Sequence, residues 1–280
     1  MFSMATVRNF PLAFTTLACP DWSWREAVER AVEYGYQGLE LRGVEGEMDL
    51  TKAAPFVGSR LAATKLELQE RGLGIPCLET SCRFDQEREI ERNIGEGKRH
   101  IDLASELGAP NIRVFGDRIA AEQSRKKIIK QVVGGLMALA KHAEGTNVQV
   151  LLESHGDFAR MQNLLDVLQA IDHPQVGVLW DVHHPFRFFS EPLADTYNKL
   201  KRWMRHVHLK DSKMVEGNVR YCLQGEGDLP LGETLHLLKG GNYDGWIAFE
   251  WEKRWHPEIE APEIALPAFV RVVRAAEAEV

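Results

Sequence analysis

Short apolar runs, most closing on a polar or charged residue, alternate along this chain with longer amphipathic stretches. The runs are Leu12–Thr16, Gly38–Leu41, Ile75–Glu79, Asn111–Phe115, Val148–Glu153, Val176–Asp181, His206–Lys210 and Trp246–Glu250. Helical periodicity fills the intervals: Trp24–Tyr34, Pro55–Arg71, Glu87–Leu107, Ala121–Ala143, Met161–Ile171, Glu191–Met204, Leu231–Leu238 and Pro262–Glu277. Within 87–107, Ile90, Ile94, Ile101, Ala104 and Leu107 recur at the spacing of one helix face. The pairs Tyr34-Gly35, Arg71-Gly72 and Leu107-Gly108 place glycine where a helix ends in a left-handed residue. Runs such as Val148-Gln-Val-Leu-Leu152 are apolar nearly throughout, as strands buried on both faces must be. Eight such units, without a Gly/Ser/Pro linker or a composition break, predict an α/β fold, a (β/α)8 TIM barrel over residues 10–280 behind an N-terminal tail at 1–9. A doubly wound open sheet would carry a glycine-rich first turn, and neither GxGxxG nor a P-loop is present.

Composition narrows the partners. In 280 residues, 34 Lys and Arg stand against 41 Asp and Glu, a net charge of −7 that argues against nucleic acid or an anionic membrane as principal partner. No apolar stretch approaches the ~20 residues of a bilayer span, and no signal-peptide core stands at the N-terminus, so a cytoplasmic location is expected. The 4 cysteines (Cys19, Cys77, Cys82, Cys222) are too few for a disulfide framework, and the Cys77/Cys82 spacing does not suit a zinc knuckle.

In such a barrel the reacting groups gather at the C-terminal strand ends. Strand five closes on Glu153, strand six on Asp181, strand seven carries His206-Val-His208-Leu-Lys210-Asp211, and strand eight ends at Glu250. Three carboxylates and a histidine on one rim are reconciled by a divalent cation, because unpaired buried charge is expensive. The oxygen-rich set suits one Mn, Mg or Co ion, with Zn also open. Alternation places His206 and His208 on one face, and His208, nearer the rim, is the better ligand. Glu79 and Cys82 follow strand three and are candidates to line the pocket. His155, two residues beyond Glu153, is a candidate substrate contact. Lys210 reads either as a holder of a substrate carboxylate, phosphate or hydroxyl, or as a solvent-facing partner of Asp211. Glu40 and Arg42 read as an ion pair, with substrate contact as the alternative.

The series Leu-Leu-Glu153, Trp-Asp181-Val-His-His184, Val-His208-Leu-Lys-Asp211-Ser-Lys and Phe-Glu250-Trp-Glu resembles the xylose isomerase-like barrel superfamily, from about Phe10 to Val280. Within it the chain is most similar to sugar phosphate isomerase/epimerase-type proteins: ketose 3-epimerases, hydroxypyruvate isomerases and inosose isomerases or dehydratases, with endonuclease IV more distant. The resemblance implies metal ligands at Glu153, Asp181, His208 and Glu250, and a substrate or second-metal contact at His184. It also implies a substrate contact at Arg220, in Asn218-Val-Arg-Tyr221. The Asp-x-His pair that endonuclease IV carries after strand seven is absent from 217–228, so one metal ion and no DNA substrate are expected.

A divalent ion flanked by Glu153 and Glu250 suits proton transfer next to a carbonyl. The expected activity is isomerisation or epimerisation of a small sugar or polyol ketone through a metal-stabilised cis-enediolate, with the two glutamates as catalytic acid and base. Dehydration of an inosose or related keto-polyol begins with the same step, and a non-catalytic sugar-binding barrel is the alternative of another class. Phe186, Phe188 and Phe189 suit an apolar lid or a subunit contact, which leaves a homodimer open.

Overall fold

The computed structural model describes residues 9–171 and 173–280, so the expected tail lies outside the described residues except for Asn9. In chain order the elements are β1 (Leu12–Thr15), α1 (Trp24–Tyr34), β2 (Gly38–Glu40), α2 (Arg60–Glu70), β3 (Leu78–Arg83), α3 (Ile90–Leu107), β4 (Asn111–Phe115) and α4 (Arg125–Ala143). They continue as β5 (Gln149–Glu153), α5 (Met161–Ala170), β6 (Val176–Asp181), α6 (His183–Phe189), α7 (Leu193–Leu200) and β7 (Met204–Leu209). Then follow β8 (Asp211–Val215), β9 (Asn218–Cys222), α8 (Leu231–Gly240), β10 (Ile247–Phe249) and α9 (Pro262–Glu277).

Eight strands form a parallel sheet in the order β2-β1-β10-β7-β6-β5-β4-β3. The two ends of that order meet through isolated parallel bridges, Gly38 to Gly74 and Leu41 to Leu78, which curl the sheet into a barrel. The seam rests on few bonds: Leu39 N donates to Gly74 O at 3.0 Å, Leu41 N to Cys77 O at 3.1 Å and Glu79 N to Leu41 O at 2.8 Å. Glycine is required there, since a Cβ on Gly38 would lie 2.7 Å from Gly74 O and 2.7 Å from the Trp246 ring. Strands β1, β2, β6 and β10 are buried along their whole length, as apolar runs closed by one polar residue demand.

Helix α1 matches its expected span. Ser23 caps it by accepting from Glu26 N at 3.2 Å, and Gly35 closes it at φ +83°. Several expected bounds shift, and the helices read at 55–71 and 121–143 begin only at Arg60 and Arg125. Strand three begins at Leu78 and reaches Arg83, because 75–77 serve the approach to the seam and a register irregularity follows Glu79. The expected helix 191–204 is only Leu193–Leu200, and β7 starts at Met204, two residues earlier than read. The sequence reading also missed α6 and the antiparallel hairpin β8–β9, which rises from the rim after β7. No described helix is long and apolar enough to cross a membrane. All four cysteines are buried and free, and burial pushes the Cys82 thiol up to about 12.

Candidate active site

Strand ends deliver the polar groups to one place. Glu153 ends β5, Asp181 ends β6, His208 lies on β7 and Glu250 follows β10. One ligand atom from each of these four lies within 4.8 Å of the others. They are buried almost completely, and neither oxygen of Glu153 has a hydrogen-bond partner.

The ring of His208 is held from behind. Its Nε2 lies 3.1 Å from Glu40 Oε1, while Glu40 Oε2 lies 2.8 Å from His206 Nε2. Its Nδ1 is left facing the carboxylates, 3.4 Å from Glu250 Oε1 and without a hydrogen-bond partner. Glu40 therefore pairs with two imidazoles and not with Arg42: it points into the barrel at 0% exposure, whereas Arg42 lies past the strand end and follows the loop. A carboxylate behind a histidine fixes its tautomer and turns the opposite nitrogen toward the site.

Two cations cross the cluster. Arg113 on β4 joins Glu79 and places Nε 3.0 Å from Glu153 Oε2. Glu79 also accepts from Thr15 Oγ1 at 2.7 Å, so its carboxylate is taken up by protein partners and does not line an open pocket. Lys210 is not a solvent-facing partner of Asp211. Its ammonium is buried, 2.8 Å from Asp181 Oδ2, in contact with Glu250 Oε2 and 2.7 Å from Glu252 Oε1. Asp211 instead accepts from the backbone N–H groups of Gly225, Gly227 and Leu229, which ties down the loop after β9.

Charge is unbalanced here. Glu40, Glu79, Glu153, Asp181 and Glu250 are all buried, and against these five carboxylates stand Arg113, Lys210 and the His208 imidazolium. Burial pushes the Glu153 carboxyl up to about 8 against the pull of Arg113, with Glu250 and Asp181 adding repulsion. Burial likewise raises Asp181 to about 6 despite Lys210. Burial would raise Glu250 too, but Lys210 and His208 hold it well below the usual carboxylate range. Carboxylates that cannot all ionise without a further cation, two Glu153 oxygens without a hydrogen bond, one of them beside Arg113, and one imidazole nitrogen fit a divalent cation bound by Glu153, Asp181, His208 Nδ1 and Glu250.

Around this centre runs an arc of rings. Phe115 and His155 lie 4.7 Å apart, His155 and His184 4.5 Å, and His184 and Phe188 5.3 Å. His184 Nε2 is 3.5 Å from Asp181 Oδ2 and has no hydrogen-bond partner. Burial and the charge of Lys210 hold His155, His183 and His184 below the ordinary imidazole range, hence neutral. The structure does not bring Arg220 to the centre: it is exposed on β9, and its neighbour Tyr221 turns inward to meet His183 at 5.5 Å and His256 at 4.7 Å. Alternation along the hairpin sends adjacent residues to opposite faces. Sequence reasoning missed Arg113 and the support of His208 by Glu40. A charge in the middle of the apolar run Asn-Ile-Arg-Val-Phe115 was the available signal for the first.

Comparison with known proteins places this geometry. A family model described as xylose isomerase-like TIM barrel matches residues 28–269. The chain is 23% identical over 158 residues to fructoselysine 3-epimerase of Shigella flexneri, covering 55% of this chain and 56% of that protein. It is 25% identical over 290 residues to inosose dehydratase of Clostridium beijerinckii, covering 92% and 93% respectively. The match thus spans about half the length of the epimerase and nearly all of the dehydratase. Among solved structures, the IOLI protein with a bound zinc atom superposes with a TM-score of 0.78 at 18% identity, over 96% of this chain and 98% of that one. By the extent of the family match, the chain belongs to the xylose isomerase-like TIM barrels.

Proposed function

We propose that the protein is a divalent-metal-dependent isomerase or epimerase of a small sugar or polyol ketone. The observation that carries this reading is the convergence of Glu153, Asp181, His208 and Glu250 within 4.8 Å, with both Glu153 oxygens lacking a hydrogen-bond partner. A cation held by these four would polarise a carbonyl and an adjacent hydroxyl and make the neighbouring C–H more acidic.

The chain's own groups do the rest. Glu153, ionised, removes the proton from the carbon beside the carbonyl. Glu250 serves as the second carboxyl, returning a proton to the adjacent carbon for isomerisation or to the opposite face for epimerisation. Lys210 counters the negative charge that spreads over the substrate oxygens. The rings of Phe115, His155, His184 and Phe188 flank the substrate and restrict water. The kinship with inosose dehydratase over nearly its whole length supports a second reading, dehydration, in which the same abstraction is followed by loss of a β-hydroxyl. In that reading Lys210, bonded to Glu252 as well as to the central carboxylates, protonates the leaving group.

The test uses purified protein loaded with Mn²⁺ and incubated with ketoses and inososes in deuterated water. Deuterium should enter the carbon beside the carbonyl, and Glu153→Gln should reduce its uptake at least 10²-fold, the usual contribution of a positioned base. Full exchange in the variant would remove Glu153 as the base. Absence of bound metal in wild type after Mn²⁺ loading would overturn the metal-dependent reading as a whole.

A further inference from the structure

The mouth of the barrel opens on one side into a cleft of about 410 Å³ walled by Arg42, Ser81, Arg83 and Arg92, by the carboxylates Glu89 and Asp117, and by the rings of Phe115 and His155. Apart from Arg92, in the first turn of α3, and Glu89 just before it, these residues sit at or just beyond the ends of β2 to β5, so the cleft is built by one half of the rim. It connects to the central carboxylates through Arg113 and the rings of Phe115 and His155. Arg113, 3.0 Å from Glu153, stacks its guanidinium 3.9 Å from the Phe115 ring centroid, and His155 touches His184.

The arginines of this cleft are not equivalent. Arg83 is neutralised, with Asp117 at 3.3 Å, Glu89 at 3.5 Å and Asp85 at 3.7 Å. Arg42 and Arg92 form no ion pair among the described residues. Arg42 donates from Nη2 to Ser81 Oγ at 3.0 Å, and its Nη1 is buried with no acceptor. Burial, then the nearby Arg113, draw the guanidinium down to about 10 against the pull of Glu79 and Glu96. A half-buried guanidinium with one donor enclosed and empty, and another cation close by, is favoured by an anionic oxygen that completes it.

We propose that this cleft receives an anionic group of the substrate, a carboxylate or a phosphate, on Arg42, Ser81 and Arg92. The inference rests on the proposed reaction for where the rest of the substrate lies: the carbonyl end enters the carboxylate cluster and the anionic end reaches past Phe115 and His155 to Arg42. The substrate class becomes an acidic or phosphorylated keto-polyol, as opposed to a neutral sugar. Planar forked N–H groups match both kinds of anion, so the cleft geometry sets the shared chemistry and the experiment separates the two.

The probes are inorganic phosphate and malonate, each titrated by calorimetry into the full chain at constant ionic strength made up with chloride. Each titration is run as purified and again after metal removal, so that anion bound to a metal ion is told apart. One or both probes should bind wild type in both states. Arg42→Gln should weaken that binding at least about tenfold, and Arg42→Lys, which keeps the charge and loses the fork, by less. Preference for phosphate over malonate, or the reverse, assigns the group. No binding of either above chloride, or binding unchanged in Arg42→Gln, would overturn the proposal. Should Arg42→Gln fail to fold, Arg92→Gln combined with Ser81→Ala carries the same comparison. Mn²⁺ titration of Arg42→Gln should match wild type. Loss of Mn²⁺ binding by wild type itself would strike the proposed reaction and leave the anion result to stand or fall separately.

Discussion

Glu40 acts on the site without entering it. Its carboxylate spans His206 and His208, and only with a proton on His208 Nε2 is Nδ1 free to act as a ligand. Glu40→Gln should therefore lower Mn²⁺ affinity by about 10- to 100-fold, the usual effect of removing such a partner, while the fold persists by circular dichroism. Unchanged affinity would show that packing alone orients the ring. Glu153 sets the pH behaviour. Its folded value of about 8 lies above the ordinary 4.5, so between those limits the folded metal-free chain binds more protons than the unfolded one. The stability contributed by this protonated carboxyl is complete below pH 4.5 and is lost as pH rises through 8. Urea melts of metal-stripped protein across that window should lose part of this slope in Glu153→Gln. Mn²⁺ uptake by wild type runs the other way, strengthening toward pH 8 as the ligand sheds its proton. An affinity flat with pH would contradict the placement of Glu153 among the ligands.

Legibility in the sequence follows from which elements have a repeating pattern. The eight apolar runs and their helices were readable because burial on both faces leaves a continuous apolar signature, and Glu153, Asp181, His208 and Glu250 were readable as their polar ends. Helix α6, His-His-Pro-Phe-Arg-Phe-Phe189, is seven residues long and has no polar face to give a helical period. The hairpin β8–β9 begins one residue after β7 and so reads as its continuation. Its turn did leave a mark: Glu216 and Gly217 both take positive φ, 50° and 79°, the conformation of a tight two-residue turn. The partners of Lys210 were invisible for a different reason, since contacts across 29 to 42 residues leave no local trace. The hairpin also has a function that can be tested. Asp211 latches its base to the following loop, so Asp211→Ala should loosen the segment that carries Tyr221. Faster proteolytic nicking near Gly217 is expected with Mn²⁺ affinity retained. A nicking rate equal to wild type would mean that strand pairing alone holds the hairpin.

At the scale of the whole molecule, the barrel sets two proposed sites side by side. The strand ends of β5, β6, β7 and β10 carry the proposed reaction centre, while the loops after β2 to β4, with His155 beyond β5, build the arginine cleft. One feature joins both halves, the seam between β2 and β3. Seven of the eight neighbouring strand pairs are joined by ladders, β3–β4 and β6–β7 with a register irregularity, whereas the seam is stitched by isolated bridges and a few backbone bonds. Local opening takes the least protected contacts first. Amide hydrogen exchange at Leu39, Leu41 and Glu79 should thus outpace that of the β5–β6 ladder, and equal protection across all strands would refute it. Glu40 and Arg42 flank Leu41 on that edge, so a seam that breathes would slacken the support of His208 and the anion cleft in a single motion. A ligand reaching from one to the other would then act as a clasp, closing the barrel along the line where it is most weakly sewn.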